Sequence, residues 1–320
     1  MRKKPIAMRT LTTVAGLIVA VALVHAQEPK VVRAIPVAPP MGGPMLKKRI
    51  AVTHFDNKSN FRGQIELGTG FADALTDALI KCGQFIVVER AEISNVIKEQ
   101  DFAVSGRTAE TASGPKIGQI LTAQIQVTGS ILHVDTHTSD GGAAFGFKGF
   151  NIGASGGTAQ VDIALRIVDT TSGQVLDSQQ IKGIARKSGL AFGFTSGDFR
   201  GGLGGLKKTP LGDAVVDALN QAVAAISSRL ERVPWQGRIV KADADKIYIN
   251  AGSNFGVKPG DRFACYHPGE ALIDPETGLN LGGKTTKYGR IEVVEVSDKF
   301  SIAKPVDGTG FAGKDVINIE

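Results

Sequence analysis

The sequence predicts an α+β fold: an antiparallel sheet packed with helices, carrying two extended β-hairpins that could join an oligomeric transmembrane β-barrel, followed by a small all-β domain. Three observations predict it. Between residues 47 and 233 the apolar positions alternate between a period near two and a period of three to four, marking strands and amphipathic helices in turn. The tetrapeptide AFGF occurs twice, at Ala144–Phe147 and Ala191–Phe194, each time inside a glycine-rich run. Past Pro234 the chain breaks into short strands about ten residues apart, separated by turn signals.

Residues 1–26 have the layout of a signal peptide: Arg2, Lys3, Lys4 and Arg9, then an apolar run from Leu11 to Val24, then Val24-His25-Ala26 before Gln27. Cleavage there removes four cations and no acids, so the formal charge of +6 falls to about +2 and leaves no basic patch to argue for nucleic acid. No cysteine stands at the cleavage site, so the lipoprotein pattern is missing. Export places Cys82 and Cys265 in an oxidising compartment, but they fall in different domains and read as separate buried thiols. Residues 27–46, rich in proline and glycine, read as an extended linker.

The ordered part begins at KKRIAVTHF, a strand ending at Phe55. From Glu66, Leu67, Phe71, Leu75, Ala78, Leu79 and Cys82 recur every three or four residues, a helix stopped by Gly83. FIVVE at Phe85–Glu89 reads as a buried strand, with a helix at about Ala91–Gln100 and a third between Thr108 and Leu121. QIQVTGSILHV, VDIALRIVDT and QVLDSQQIKGIA are strands, the last two joined at TTSGQ. Pro210 opens a helix with Leu211, Val215, Leu219, Ala222, Val223, Ile226 and Leu230 on one stripe, ending near Arg232. Residues 47–233 are thus one domain and 234–320 a second, a small barrel or sandwich.

A two-residue turn at Lys148-Gly149 sets Phe147 opposite Phe150 and Phe145 opposite Ile152, all on one face of a ribbon whose other face is small or polar. The second copy repeats the pattern with Leu190, Phe192 and Phe194; after a turn near Ser196-Gly197, Phe199, Gly201 and Leu203 return on one face. In the stem of the first ribbon, Leu132 and Val134 have the opposite parity, so stem and tip offer their apolar faces in different directions. Strands of this length with alternating faces suit a bilayer if neighbouring subunits close the edges. The pattern alone equally describes a pair of mobile glycine-phenylalanine loops.

Enzyme signatures are missing. The sequence has no His-Glu-x-x-His, no Cys-x-x-Cys and no Gly-x-Ser-x-Gly. His133 and His137 fall on a strand, which holds them about 13 Å apart, too far to share a metal. GTGFAD at Gly68–Asp73 lacks the third glycine of a dinucleotide fingerprint, and in GGLGGLKKT Leu206 stands where a phosphate loop needs glycine before its lysine. Asp243, Asp245 and Asp274 occupy turns, where carboxylates serve turn chemistry. The expectation is no enzyme and no cofactor.

RIAVTHF, GFADALTDALIKCGQFIVVER, VTGSILHV, the glycine-rich segment with FNIGAS, ALRIVDTTSGQVLDS and the helix after TPLGDAV together resemble the CsgG-type curli secretion channel family, from about Lys48 to Arg232. The resemblance implies a homo-oligomeric ring in the outer membrane, each subunit lending two hairpins to one barrel, with an unfolded secreted protein and periplasmic accessory proteins as partners. It places the membrane-facing hairpins at the two AFGF copies, and Asn60 and Phe61 match the family's amide and aromatic pair at the pore constriction. The family's additional tyrosine has no counterpart here; acidic Asp56 lies near its place. NAGSNFGVKPGDRF and DPETGLNLG resemble the C-terminal domain of flagellar assembly protein T. Two functions are therefore expected to compete: an outer-membrane secretion channel for a curli-like protein, or a soluble periplasmic scaffold for envelope or flagellar assembly.

Overall fold

The computed structural model describes residues 46–61, 66–109, 114–137, 158–185, 203, 206, 209–243, 245–278 and 281–320. The signal peptide and nearly all of the linker lie outside them, as do Phe145, Phe147, Phe150, Ile152, Leu190, Phe192, Phe194 and Phe199. The fold is α+β with a separate all-β C-terminal barrel.

Strand β1 (Lys48–Asn57) leads to helix α1 (Leu67–Cys82), edge strand β2 (Phe85–Val87) and helix α2 (Ile93–Ala103). Strands β3 (Ile125–His137), β4 (Thr158–Asp169) and β5 (Val175–Ile184) follow, then helix α3 (Pro210–Glu231). The sheet order is β2-β1-β3-β4-β5. It is antiparallel across β3, β4 and β5, while β1 runs parallel to both β2 and β3. Helices α1 and α3 cover one face and bury the first core, in which Phe55, Phe71, Leu75, Leu79, Ile163 and Leu219 are almost fully enclosed. Alternation does the sorting in β4: Ala159, Val161, Ile163, Leu165 and Ile167 point inward.

Two elements differ from expectation. FIVVE is a three-residue edge strand, half-buried because nothing pairs with its outer side among the described residues. The third helix between Thr108 and Leu121 is replaced by turns and irregular chain in the described residues of that stretch. Gly118, at positive φ, breaks the helical path there.

In β3 the inward row Ile125, Val127, Gly129 and Ile131 is interrupted by one extra residue, Leu132, between the pairs Ile131 with Ile163 and His133 with Asp162. This bulge turns Leu132 outward, 37% exposed, and gives the inward place opposite Val161 to Val134. Leu132 and Val134 therefore do not share the buried stem face that their parity suggests. Leu203 also departs from the ribbon alternation: it is fully buried in the first core, and Leu206 is nearly so.

The second core belongs to a closed barrel in the order β10-β7-β6-β11-β8-β9. Its strands are β6 (Gly237–Asp243), β7 (Lys246–Ile249), β8 (Arg262–His267), β9 (Thr286–Val296), β10 (Ser301–Asp307) and β11 (Val316–Ile319). Trp235, Ile247, Ile249, Phe263, Ile291 and Ile317 fill it, joined by Leu46 from the last residue of the linker. Lys47 N–H donates to the Phe255 carbonyl and Lys48 Nζ to the Leu230 carbonyl, both at 2.8 Å, so the entry to β1 is pinned to the barrel and to the end of α3.

Candidate functional site at one end of the sheet

Strand direction decides what gathers at each end of the sheet. The C-terminal ends of β3 and β5 and the N-terminal end of β4 all lie at the same end, toward which β1 also runs. His137 pairs with Thr158 as the last described rung between β3 and β4, and Ala185 N–H donates to the Ala159 carbonyl at 2.8 Å. The segment holding the first AFGF thus leaves from a paired pair of strands, and the segment holding the second leaves from the neighbouring strand at the same end.

The loop after β1 leaves its strand in the same direction but well short of this end. Lys58 N–H donates to the Ile131 carbonyl at 2.9 Å, six residues before β3 ends, so the loop lies roughly 20 Å back along the strand from the point where the first AFGF segment departs. Asn57 Oδ1 accepts from Ser59 N–H at 3.1 Å and from Ser59 Oγ at 2.6 Å; Ser59 Oγ then accepts from Phe61 N–H at 3.2 Å. These bonds fold 57–61 into a tight turn. Asn60 is exposed at its apex, while Phe61 is half-buried and packs against the first core. The structure sets Asn60 and Phe61 well back along β3 from the roots of the AFGF segments, and the Phe61 ring packs against the first core. Sequence reading missed Asn57 and Ser59, which set the turn. The signal that could have found them is the Asn-x-Ser spacing at a strand end.

Glycines seat the helices behind this end. A Cβ on Gly68 would collide with the Phe55 carbonyl oxygen, so α1 reaches β1 only because that position is bare. A Cβ on Gly70 would stand 2.7 Å from Leu203 Cγ. Phe55 and Phe71 meet at 5.0 Å between ring centroids directly beneath the loop. Thr209 caps α3 by accepting from Gly212 N–H at 3.1 Å and donating to the Leu206 carbonyl at 2.8 Å. The two glycine patterns that mimic phosphate loops are therefore packing devices: Gly68 and Gly70 admit α1, and Leu203 and Leu206 anchor the chain before α3.

The titratable groups read as structural. No cluster of three His, Cys, Asp or Glu side chains able to hold a metal occurs among the described residues. Asp274 accepts from Glu276 N–H at 2.9 Å, the bond that holds its carboxyl below the usual range, and Asp243 pairs with Lys241. In the barrel, buried Asp315 accepts from Tyr288 Oη at 2.6 Å and Ala312 N–H at 2.9 Å and lies 3.0 Å from His267 Nδ1, binding β8, β9 and the loop before β11 together. Burial and then Asp315 push the Tyr288 hydroxyl far above an ordinary phenol. Burial raises the Cys82 thiol, and burial together with Asp315 raises that of Cys265 to about 12; neither is in a disulfide, and Cys82 is half-buried, not buried as expected, because it ends α1 at the edge of the core. No described helix is long and apolar enough to cross a membrane, which does not bear on a β-barrel.

Comparison with known proteins gives two family matches. The curli production assembly/transport component CsgG family matches residues 37–247, about two thirds of the chain, and the flagellar assembly protein T C-terminal domain matches residues 244–311. An uncharacterized protein of Aquifex aeolicus (strain VF5) is 29% identical over 93 residues, 28% of this chain and 18% of that protein, so the matched part is less than a fifth of the relative's length. Among solved structures, the hypothetical protein CT253 from Chlamydia trachomatis is 13% identical, covering 57% of this chain and 98% of that one, with a TM-score of 0.34. The PelC dodecamer from Paraburkholderia phytofirmans is 14% identical over 59% of this chain and 93% of that one, TM-score 0.28. Lipoprotein GNA1162 from Neisseria meningitidis is 18% identical over 57% and 97%, TM-score 0.26. Likeness this distant leaves the role of the chain to the family match and its own residues.

Proposed function

Because this chain belongs to the family of the curli production assembly/transport component CsgG, we propose that it is an exported subunit of an outer-membrane secretion channel for an unfolded, curli-like protein. One observation carries the proposal. The ends of β3, β4 and β5 from which both AFGF segments leave lie at one end of one sheet, with the loop after β1 about 20 Å back along β3, which supports two hairpins leaving side by side with a loop behind them. In this reading Phe145, Phe147, Phe150, Ile152, Leu190, Phe192, Phe194 and Phe199 face lipid, and a ring of subunits closes the strand edges that two hairpins leave open. Asn60 and Phe61 narrow the passage, which asks Phe61 to leave its place against the first core. Periplasmic accessory proteins deliver the cargo.

The test is membrane fractionation of the mature protein expressed alone, with Phe145→Lys and Phe192→Lys variants. The channel reading expects outer-membrane flotation of the unaltered protein and a loss of roughly 2–4 kcal/mol of insertion for a lysine near the bilayer midplane. A protein that stays wholly periplasmic and monomeric sinks it.

A second reading, a periplasmic scaffold for envelope or flagellar assembly, is favoured by the match of residues 244–311 to flagellar assembly protein T and by the inward-facing Phe61 ring. It expects soluble protein and lysine variants that behave like the parent.

A further inference from the structure

The barrel carries aromatic side chains on its outside as well as within. On β7 the inward Ile247 and Ile249 leave Tyr248 facing out, and Tyr248 pairs with Ile302 of β10, where buried Ser301 and Ala303 mark the inward row. Phe300, two residues before Ile302, brings its ring to 6.4 Å from that of Tyr248, tilted by 41°. Phe300 is 41% exposed and Tyr248 and Ile302 are half-buried, so the three form an apolar platform open to solvent. Neither ring serves the barrel core, which Trp235 and Phe263 help to fill. Exposed charges of both signs border the platform: Lys241, Lys246, Lys299 and Lys304 with Glu295 and Asp298.

The chain's own linker ends beside this platform. Lys47 N–H donates to the Phe255 carbonyl at 2.8 Å, and Leu46 is buried in the barrel core. Phe255 closes the short helical turn Ser253–Phe255, in which Ser253 N–H donates to the Ser297 carbonyl at 2.9 Å and Asn254 N–H to the Asp298 carbonyl at 3.1 Å. The turn that carries Phe300 is therefore bonded to the residue next to the one that holds Lys47, and the path from Leu46 to Phe300 along these residues is at most roughly 25 Å. Residues 36–40 read Pro-Val-Ala-Pro-Pro, and no side chain from 34 to 45 is charged, so the segment asks for no counter-charge from a border of mixed sign. Proline fixes φ, so such a run favours the polyproline II helix, in which Pro36 and Pro39, three apart, stand on the same face. At about 3.1 Å per residue, the steps from Leu46 back to Pro36 cover roughly 30 Å, enough to lay both prolines on the platform.

We propose that the Tyr248, Phe300 and Ile302 face of the barrel is a polyproline-binding platform, and that it takes Pro36–Pro40 of the same chain. Proline rings pack on aromatic faces because both are apolar and rigid, so little conformational entropy is lost on contact. The tether supplies the rest: a short linker presents its segment at an effective concentration in the millimolar range, so a contact too weak to hold a free peptide stays filled. The linker is then a strap laid along the barrel wall. Its docking does not depend on whether the chain lines a channel or serves as a scaffold.

Methionine-methyl NMR tests it, because the chain from Gln27 to Glu320, released from a cleavable tag, holds two methionines, Met41 and Met45, both in the linker. The Met41 methyl, one residue past Pro40, should be shifted by ring currents and should show cross-relaxation with the Tyr248 and Phe300 rings. Phe300→Ala, at an exposed position, should weaken docking roughly 5- to 30-fold, the scale of losing one interface anchor, and return the Met41 signal toward its random-coil place. Pro36→Gly combined with Pro39→Gly should do the same while leaving the barrel untouched, and fluorescence of Trp235, the chain's only tryptophan, checks that each variant stays folded. A random-coil Met41 signal in the parent overturns the docking. So does a shifted signal that survives both Phe300→Ala and Tyr248→Ala, since the segment then lies elsewhere. A shift that fades on dilution means that the linker of a second copy fills the platform, and overturns the same-chain contact. Ring signals that respond to an added chito-oligosaccharide while Met41 keeps its random-coil position make the pair a sugar platform instead.

Discussion

Gly68 sets how closely α1 approaches β1, and its substitution gives a direct residue-scale test. A Cβ there meets the Phe55 backbone oxygen, which no rotamer change can move, so Gly68→Ala must push the helix off the strand. The expected loss is about 1–3 kcal/mol in urea unfolding; a change under about 0.5 kcal/mol, the scale of ordinary surface substitutions, would show that the helix shifts freely. Lys48 gives a second test through pH. Burial lowers its pKa below 10.5, against a smaller opposing pull from Glu231, while its ammonium donates to the Leu230 carbonyl. Between the lowered folded value and 10.5 the unfolded chain binds more protons, so stability should rise with pH through that window. In Lys48→Met that rise should vanish, with stability near neutrality within about 1 kcal/mol of the parent because a lost bond offsets a relieved charge. An identical alkaline slope in both proteins would exclude Lys48 as its source. The sequence did not show either role. Gly68 was visible only as part of a failed dinucleotide motif, because its reason is a neighbour thirteen positions away, and a lysine opening a strand looks like any solvated cation until the helix end above it is placed.

Among the elements, those whose periodicity is long were legible: α1, α3, β3, β4 and the hairpin between β4 and β5 all follow from apolar spacing and turn residues. What sequence could not supply was the bulge at Leu132, since one inserted residue flips a face without altering composition. Nor could it show that Leu203 and Leu206 are buried and that Thr209 holds the Leu206 carbonyl. Thr209, Leu206 and Leu203 form that anchorage, and Thr209→Ala tests it. Loss of the cap should cost about 1 kcal/mol. Because the same hydroxyl holds the Leu206 carbonyl, limited proteolysis should also begin to cut at Leu206. A stability loss with no new cleavage would mean that Leu203 and Leu206 hold the chain without the cap.

For the whole molecule, the question is whether two cores melt as one. Leu46 lies before the first strand of the sheet domain yet belongs to the barrel core beside Trp235, 2% exposed. A linker ending at residue 46 has no periodicity to reveal that its last side chain completes a barrel whose first strand begins at Gly237. Leu46→Ala empties a buried site and should cost about 2–5 kcal/mol. Trp235 is the chain's only tryptophan, so its fluorescence reports the barrel, whereas helical ellipticity reports α1 and α3 of the first core. The parent holds the two together at adjacent points, Lys47 on Phe255 and Lys48 on Leu230, and the two probes should trace a single transition. In Leu46→Ala the fluorescence midpoint should fall while the ellipticity midpoint moves less, because the cavity lies in one core and the remaining pins are two hydrogen bonds. Equal shifts in both probes would show one cooperative unit in which the barrel has no stability of its own. An unmoved fluorescence midpoint would show that the barrel closes without the linker.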